Sequence, residues 1–173
     1  MKLRIVITDA NILIDLIKLD LSKILFQSGI FEFKTSDLVF NEIYPEQKEM
    51  LSSVIKSKHL EICESDEVDL KEIYKLKVEK KGLTIQDCSV WHYAAKFEGI
   101  LLTGDKQLRN CSSQSGIEVR GVLFLFDQMV EHKLITLKKA IIKLELLSMT
   151  NHRLPKKEID KRLKEWGSRL KNE

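Results

Sequence analysis

Glycine and proline are scarce, seven and two among 173 residues, which excludes collagen-like and proline-rich character. Cysteine is scarcer still in useful arrangement. Cys63, Cys88 and Cys111 are scattered with no CxxC pair, so neither a disulfide framework nor a zinc site of ordinary spacing is expected. Free thiols suit a reducing cytoplasm, and the N-terminal stretch lacks the apolar core and small-residue cleavage site of a secretory signal. No apolar run approaches the roughly 18 residues of a membrane span, so no membrane partner is expected. Charge of one sign is also lacking: 29 Lys+Arg against 26 Asp+Glu leave +3. The excess is local. From Asn151 to Glu173 there are eight basic and four acidic residues, while residues 1–150 carry 21 and 22. A claim for nucleic-acid binding must therefore rest on a site and not on net charge.

What is present is a soluble-globular balance, 43% hydrophobic and 32% charged, at a length suited to one domain with an extension. Leu3–Ile7 reads as a buried strand. Leu13, Leu16 and Ile17 follow at helical spacing, with a break near Asp20 and a short second helix ended by Gly29. Strands are expected at Ile30–Phe33, Leu60–Ile62, Ile100–Leu102 and Ile117–Val119. Helices are expected over Asp37–Tyr44, Glu46–Lys58, Ser65–Lys81, from Ile85 to Glu98, and from Asp105 through Leu108. Thr84-Ile85-Gln86-Asp87 has the form of a capping box. Beyond Gly121 the pattern is wholly helical, with apolar faces at Val122/Leu125/Met129, at Leu137/Ile141/Leu144/Leu147 and at Ile159/Leu163/Trp166. Strands alternating with helices imply a parallel α/β sheet carrying a helical appendage. The expected division is 1–132 for the sheet domain and 133–173 for the C-terminal helical extension.

Two strands end alike. Ile5-Val6-Ile7-Thr8-Asp9 and Leu101-Leu102-Thr103-Gly104-Asp105 each place an acid just past an apolar run. In a parallel sheet both acids fall at the carboxyl edge, where ligands bind. Aspartate is also among the best N-caps, so either junction alone is explained by helix capping. Asp87 has a capping explanation of its own, and Glu42 that of a solvated acid at a helix edge. The chain order of all four, strand–Asp9, helix–Glu42, helix–Asp87, strand–Asp105, is more specific than any one of them.

With Ile7-Thr8-Asp9-Ala10-Asn11, Val39-Phe40-Asn41-Glu42, Leu83–Asp87 and Leu101–Leu108, the sequence resembles the PIN-domain nucleases over residues 1 to about 130. Within them it looks most like the prokaryotic branch that includes toxin ribonucleases of toxin–antitoxin pairs, with extra C-terminal helices. The resemblance implies a PIN-like parallel sheet flanked by helices on both faces. It implies a metal-dependent ribonuclease with Asp9, Glu42, Asp87 and Asp105 as catalytic metal ligands for Mg²⁺ or Mn²⁺, RNA as substrate, and an antitoxin or a second copy as protein partner. Hard divalent cations prefer oxygen ligands, and four crowded carboxylates would otherwise repel. Such ions activate water for attack on a phosphodiester. Thr8, Asn11 and Thr103 are candidates for orienting the carboxylates, and Lys106 and Arg109 for contacting a substrate phosphate. Two other readings compete: a PIN fold that binds nucleic acid without cutting it, and a haloacid-dehalogenase-like phosphatase. The second would need an acid two residues after Asp9, where Asn11 stands.

Overall fold

The computed structural model describes residues 3–172; Met1, Lys2 and Glu173, the outermost positions of the divisions 1–132 and 133–173, lie outside the described residues. Five parallel strands form one sheet: β1 (Ile5–Thr8), β2 (Glu32–Ser36), β3 (Leu60–Cys63), β4 (Ile100–Leu102) and β5 (Val119–Arg120), in the order β3-β2-β1-β4-β5. The strands alternate with α1 (Ala10–Lys18), α2 (Ser22–Phe26), α3 (Asp37–Glu42), α4 (Pro45–Lys56), α5 (Glu67–Glu79), α6 (Ile85–Lys96) and α7 (Lys106–Gln114). This is the α/β PIN-like architecture, with helices on both faces of the sheet. The centre is apolar because β1 and β4 are buried: Val6, Ile7 and all three residues of β4 are shielded from solvent.

Local chemistry sets the helix starts. Asp9, Ser36, Asp66, Thr84 and Asp105 each accept a backbone N–H in the first turn of the helix they precede. The capping box at Thr84 is complete, with both reciprocal bonds formed. Asp20 takes a positive φ of 54° and breaks α1 from α2 where the apolar spacing lapses.

Several boundaries differ from the apolar pattern. β2 is Glu32–Ser36 and not Ile30–Phe33, because its register is fixed by pairing Ile5, Val6 and Ile7 with Glu32, Phe33 and Lys34. Its polar half is buried yet satisfied. Lys34 pairs with Glu32 and Glu61, and Thr35 Oγ1 donates to the Thr8 carbonyl at 2.8 Å. β5 is shifted to Val119–Arg120, and α7 runs on to Gln114. α3 ends at Glu42, Ile43 is extended, and Pro45 opens α4 at its first helical position. On α6 Tyr93 is buried while Phe97 is only half-buried.

The chain divides into two compact units, Met1–Gly121 and Val122–Glu173. The second comprises α8 (Val122–Glu131), α9 (Leu137–Thr150) and α10 (Lys156–Lys171). Phe126 on α8 stacks with Trp166 on α10, and Arg162 forms a two-pronged ion pair with Asp127. These contacts group α8 with the later helices. On α9 Ala140, not Ile141, joins Leu137, Leu144 and Leu147 in the buried face. On α10 Ile159 and Trp166 are buried and Leu163 is half-buried.

Candidate active site

From β1 the chain builds outward to β2 and β3 on one side, then returns to place β4 and β5 on the other. The direction reverses between β1 and β4, and the crevice beyond their carboxyl ends is where open α/β sheets bind ligands. Asp9 and Asp105 follow these two strands. Thr8 pairs with Leu102, and the Asp9 N–H donates to the Leu102 carbonyl at 3.0 Å. The two acidic turns are thereby held side by side.

Asp9 is 6% exposed. Its Oδ1 accepts the Ala10 N–H at 2.7 Å. Its Oδ2 accepts both the Asn11 side-chain amide and the Thr103 hydroxyl, each at 2.7 Å. The same two partners reach across to the second turn. Asn11 Oδ1 accepts the Gly104 N–H at 3.0 Å, and Thr103 Oγ1 accepts the Asp105 N–H at 3.0 Å. A Cβ at Gly104 would stand 3.3 Å from Asn11 Oδ1, so this clamp leaves little room for a side chain there. Every donor to Asp9 is neutral. Burial pushes its carboxyl up from 3.8 to about 6; the bonds from Thr103, Ala10 and Asn11 pull it down, and the Asp87 charge adds to the rise.

Asp87 sits in the first turn of α6. Its Oδ2 accepts the Thr84 N–H at 2.7 Å, while Oδ1 accepts no hydrogen bond among the described residues. Glu42 closes α3, exposed, with no donor to its carboxylate among the described residues. Partial desolvation and then the Asp87 charge push it above its ordinary range. The two helices are joined through a bond between the Ser36 and Ser89 hydroxyls at 2.6 Å. Asp105 caps α7 through Oδ1, which accepts the Leu108 N–H at 2.7 Å, leaving Oδ2 without a donor among the described residues.

Capping and clustering thus coexist. Hydrogen bonds bring Asp9, Asn11, Thr103 and Asp105 together, and Asp87 lies within electrostatic reach of Asp9 and Glu42. Three carboxylates do not converge on one coordination sphere among the described residues. The donor chemistry nevertheless fits a hydrated hard cation. Glu42, Asp87 and Asp105 each keep carboxylate oxygens without protein donors, and Mg²⁺ retains several of its waters and so needs few direct ligands.

The remaining candidates are placed as follows. Thr8 Oγ1 donates to the Lys34 carbonyl at 3.3 Å, so it ties β1 to β2. Lys106 is exposed at the start of α7 and forms no ion pair among the described residues. Arg109 is half-buried, and its guanidinium donates to the Thr103 carbonyl at 2.9 Å. That bond steadies the turn leading into Asp105.

A further brace leaves no mark in the linear sequence. Gln107 Nε2 on α7 donates to the Lys81 carbonyl at 3.0 Å and fills the space beside Gly82, whose φ of +92° suits glycine. It links the α5–α6 turn, just before the capping box of Asp87, to the helix capped by Asp105. Nothing in the local pattern marks Gln107, because its partner lies 26 residues away.

Comparison with known proteins agrees with this fold. A profile of the family DUF3368, described as a PIN domain, matches residues 5–168, so the chain belongs to the PIN-domain family, which is nuclease-type. Among solved structures, the crystal structure of PAE2754 from Pyrobaculum aerophilum superposes with a TM-score of 0.53 at 18% identity, covering 76% of this chain and 99% of that one. That likeness concerns the fold. Among curated proteins none matches. No helix among the described residues is long and apolar enough to cross a membrane.

Proposed function

We propose that this chain is a metal-dependent endoribonuclease that hydrolyses RNA phosphodiesters with Mg²⁺ or Mn²⁺ held, directly or through the ion's own waters, by Asp9, Glu42, Asp87 and Asp105. The observation that carries the reading is Asp9: a buried carboxylate at the switch point, bonded by neutral donors alone and facing the charge of Asp87. Holding it ionised at neutral pH costs free energy, and a cation at that edge offsets the cost. Membership of a nuclease-type family supports the same conclusion.

A divalent ion, when bound, supplies positive charge against the scissile phosphodiester and lowers the pKa of the hydrolytic water. The chain's own residues do the rest. Asp9 must lose its proton, and Thr103 and Asn11 fix its orientation relative to the Asp105 turn. Asp87 and Glu42 add negative charge from the opposite helices. Lys106, exposed beside Asp105, is suited to a neighbouring phosphate of the substrate. A role as the toxin of a toxin–antitoxin pair rests on the family resemblance.

One observation favours a second reading, an RNA-binding PIN fold without catalysis: the capping bonds of Asp87 and Asp105 account for half of each carboxylate. Incubation with end-labelled single-stranded and hairpin RNA separates the two. Catalysis requires cleavage with Mn²⁺ or Mg²⁺, none in EDTA, and none above background for Asp9→Asn and Asp105→Asn. Retention of RNA without cleavage in every metal would support the binding module. Equal cleavage by parent and variants would discard the site.

A further inference from the structure

α9 has two apolar faces. Leu137, Ala140, Leu144 and Leu147 are buried within the second unit. On the opposite side Ile142, Leu146 and Met149 are 52%, 42% and 70% exposed. At 100° per residue these three lie within about 60° of one another, a narrow i, i+4, i+7 ridge. A helix apolar on both sides is ordinarily covered on both.

The charges beside the ridge are unusual. Lys138, Lys139 and Lys143 flank it, against the single acid Glu145, and none of the four forms an ion pair among the described residues. Lys138 and Lys139 occupy the first turn of α9, which holds no acid, so they oppose the helix dipole. Lys139 and Lys143 also repel at i, i+4. The local fold gains nothing from this arrangement. Negative charge from outside would relieve it, and residues 122–173 as a whole carry 12 Lys+Arg against 7 Asp+Glu.

We propose that this ridge is the docking surface for an acidic amphipathic helix of a partner protein. A helix with an apolar seam and glutamates or aspartates at its margins would cover Ile142, Leu146 and Met149 and neutralise the lysines at once. RNA would engage the lysines and leave the ridge bare. A bilayer favours a wider apolar face, with aromatic residues that this ridge lacks. A second copy docking through the same ridge would bring more lysine than acid to the contact.

The test uses the full chain and two synthetic three-heptad helical peptides, with leucine at the seam and glutamate or lysine at the margins. Fluorescence anisotropy should show saturable binding of the glutamate peptide alone, weakened by salt. Leu146→Ser with Met149→Ser should weaken it about tenfold or more. Lys138→Gln with Lys139→Gln and Lys143→Gln should weaken it about fivefold while raising the thermal midpoint of the free protein, because the opposed dipole is relieved. Far-UV circular dichroism monitors folding, and if the serine variant unfolds, the glutamine variant decides. Equal binding of the two peptides, unchanged binding by the variants, or a lowered midpoint for the glutamine variant would overturn the proposal. So would a ridge-dependent loss of phosphatidylserine vesicle binding, RNA binding or self-association without peptide binding.

Discussion

Asp9 and Asp69 are the same residue type, almost equally shielded at 6% and 4% exposure, within the same unit of the protein, yet Asp9 is much the more deeply desolvated and their carboxyls are driven in opposite directions. Asp69 lies on α5 and faces α6. Its Oδ1 accepts Lys96 Nζ at 2.6 Å and meets His92 Nε2 at 2.7 Å, and its Oδ2 accepts the Tyr93 hydroxyl at 3.3 Å. Burial alone would raise Asp69, but the bonds from Lys96 and His92 outweigh it and hold the carboxyl at about 2. Asp9 has as many donors, all of them neutral, and rises to about 6. Low exposure alone therefore does not decide the fate of a carboxylate; the depth of its desolvation and the charge of its partners decide it together. The ion-paired acid joins two helices. The acid without a counter-ion lies at the edge where this family's chemistry is proposed.

Substitutions can break this contrast, beginning with activity. Asp9→Asn should lower RNA cleavage by about 100-fold or more, whereas Asp69→Asn should leave the rate per folded molecule unchanged. Single-turnover assays with Mn²⁺ check this, and a large loss in Asp69→Asn would mean that the two regions are coupled. Next is Thr103→Val, which removes a neutral donor from Asp9. Cleavage should fall about tenfold, in the range for residues that orient a metal ligand. The acid limb of the pH–rate profile should move to higher pH, because the Thr103 bond lowers Asp9. Thr103→Ser should restore both.

Stability supplies the next two tests, with opposite signs. Asp69→Asn should cost about 2–3 kcal/mol in urea unfolding at pH 7, because it breaks a buried charged network whose Lys96 still reaches water. Asp69 is depressed, so its contribution is present above the ordinary value near 3.8 and is lost as pH falls toward 2. Asp9 is raised, so its contribution is complete below 3.8 and is lost as pH climbs through about 6. Asp9→Asn should therefore stabilise the metal-free protein by about 1–2 kcal/mol at pH 7.5, after allowing for imperfect hydrogen bonding by the amide. The gain should vanish below about pH 3, where both states of the parent are protonated. Parent protein should gain thermal stability from Mn²⁺, and Asp9→Asn much less.

The two units form a broader version of the same contrast. Residues 1–121 carry 17 Lys+Arg and 19 Asp+Glu, and include the four acids. The helical unit carries the basic excess, which the sequence had located in the tail from Asn151. The structure places part of it earlier, on the N-terminal half of α9, beside an apolar ridge. A periodicity search finds the buried face of α9, but it cannot tell which of two apolar stripes is covered.

Much of the fold was legible in the linear pattern because it depends on local chemistry. Asp9, Thr84 and Asp105 precede helices because their side chains accept first-turn amides, and β4 is visible because both of its faces are buried. The apolar pattern misplaces β2 because Lys34, Thr35 and Ser36 look unlike a buried strand until Glu61, Thr8 and Ser89 are brought beside them. The order of the four acids is likewise visible, as is the placing of Asp9 and Asp105 after strands and of Glu42 and Asp87 on helices.

Tertiary structure alone decided which neighbour each acid meets. The Thr103 hydroxyl reaches Asp9 across 94 residues, Asn11 reaches Gly104 across 93, and Lys96 reaches Asp69 across 27. The sequence determines the carboxylates and the elements that carry them. Whether a buried aspartate is neutralised by lysine or left among neutral donors depends on contacts between distant segments, because a charge in a low-dielectric interior responds to the groups within a few ångströms and not to its place in the chain.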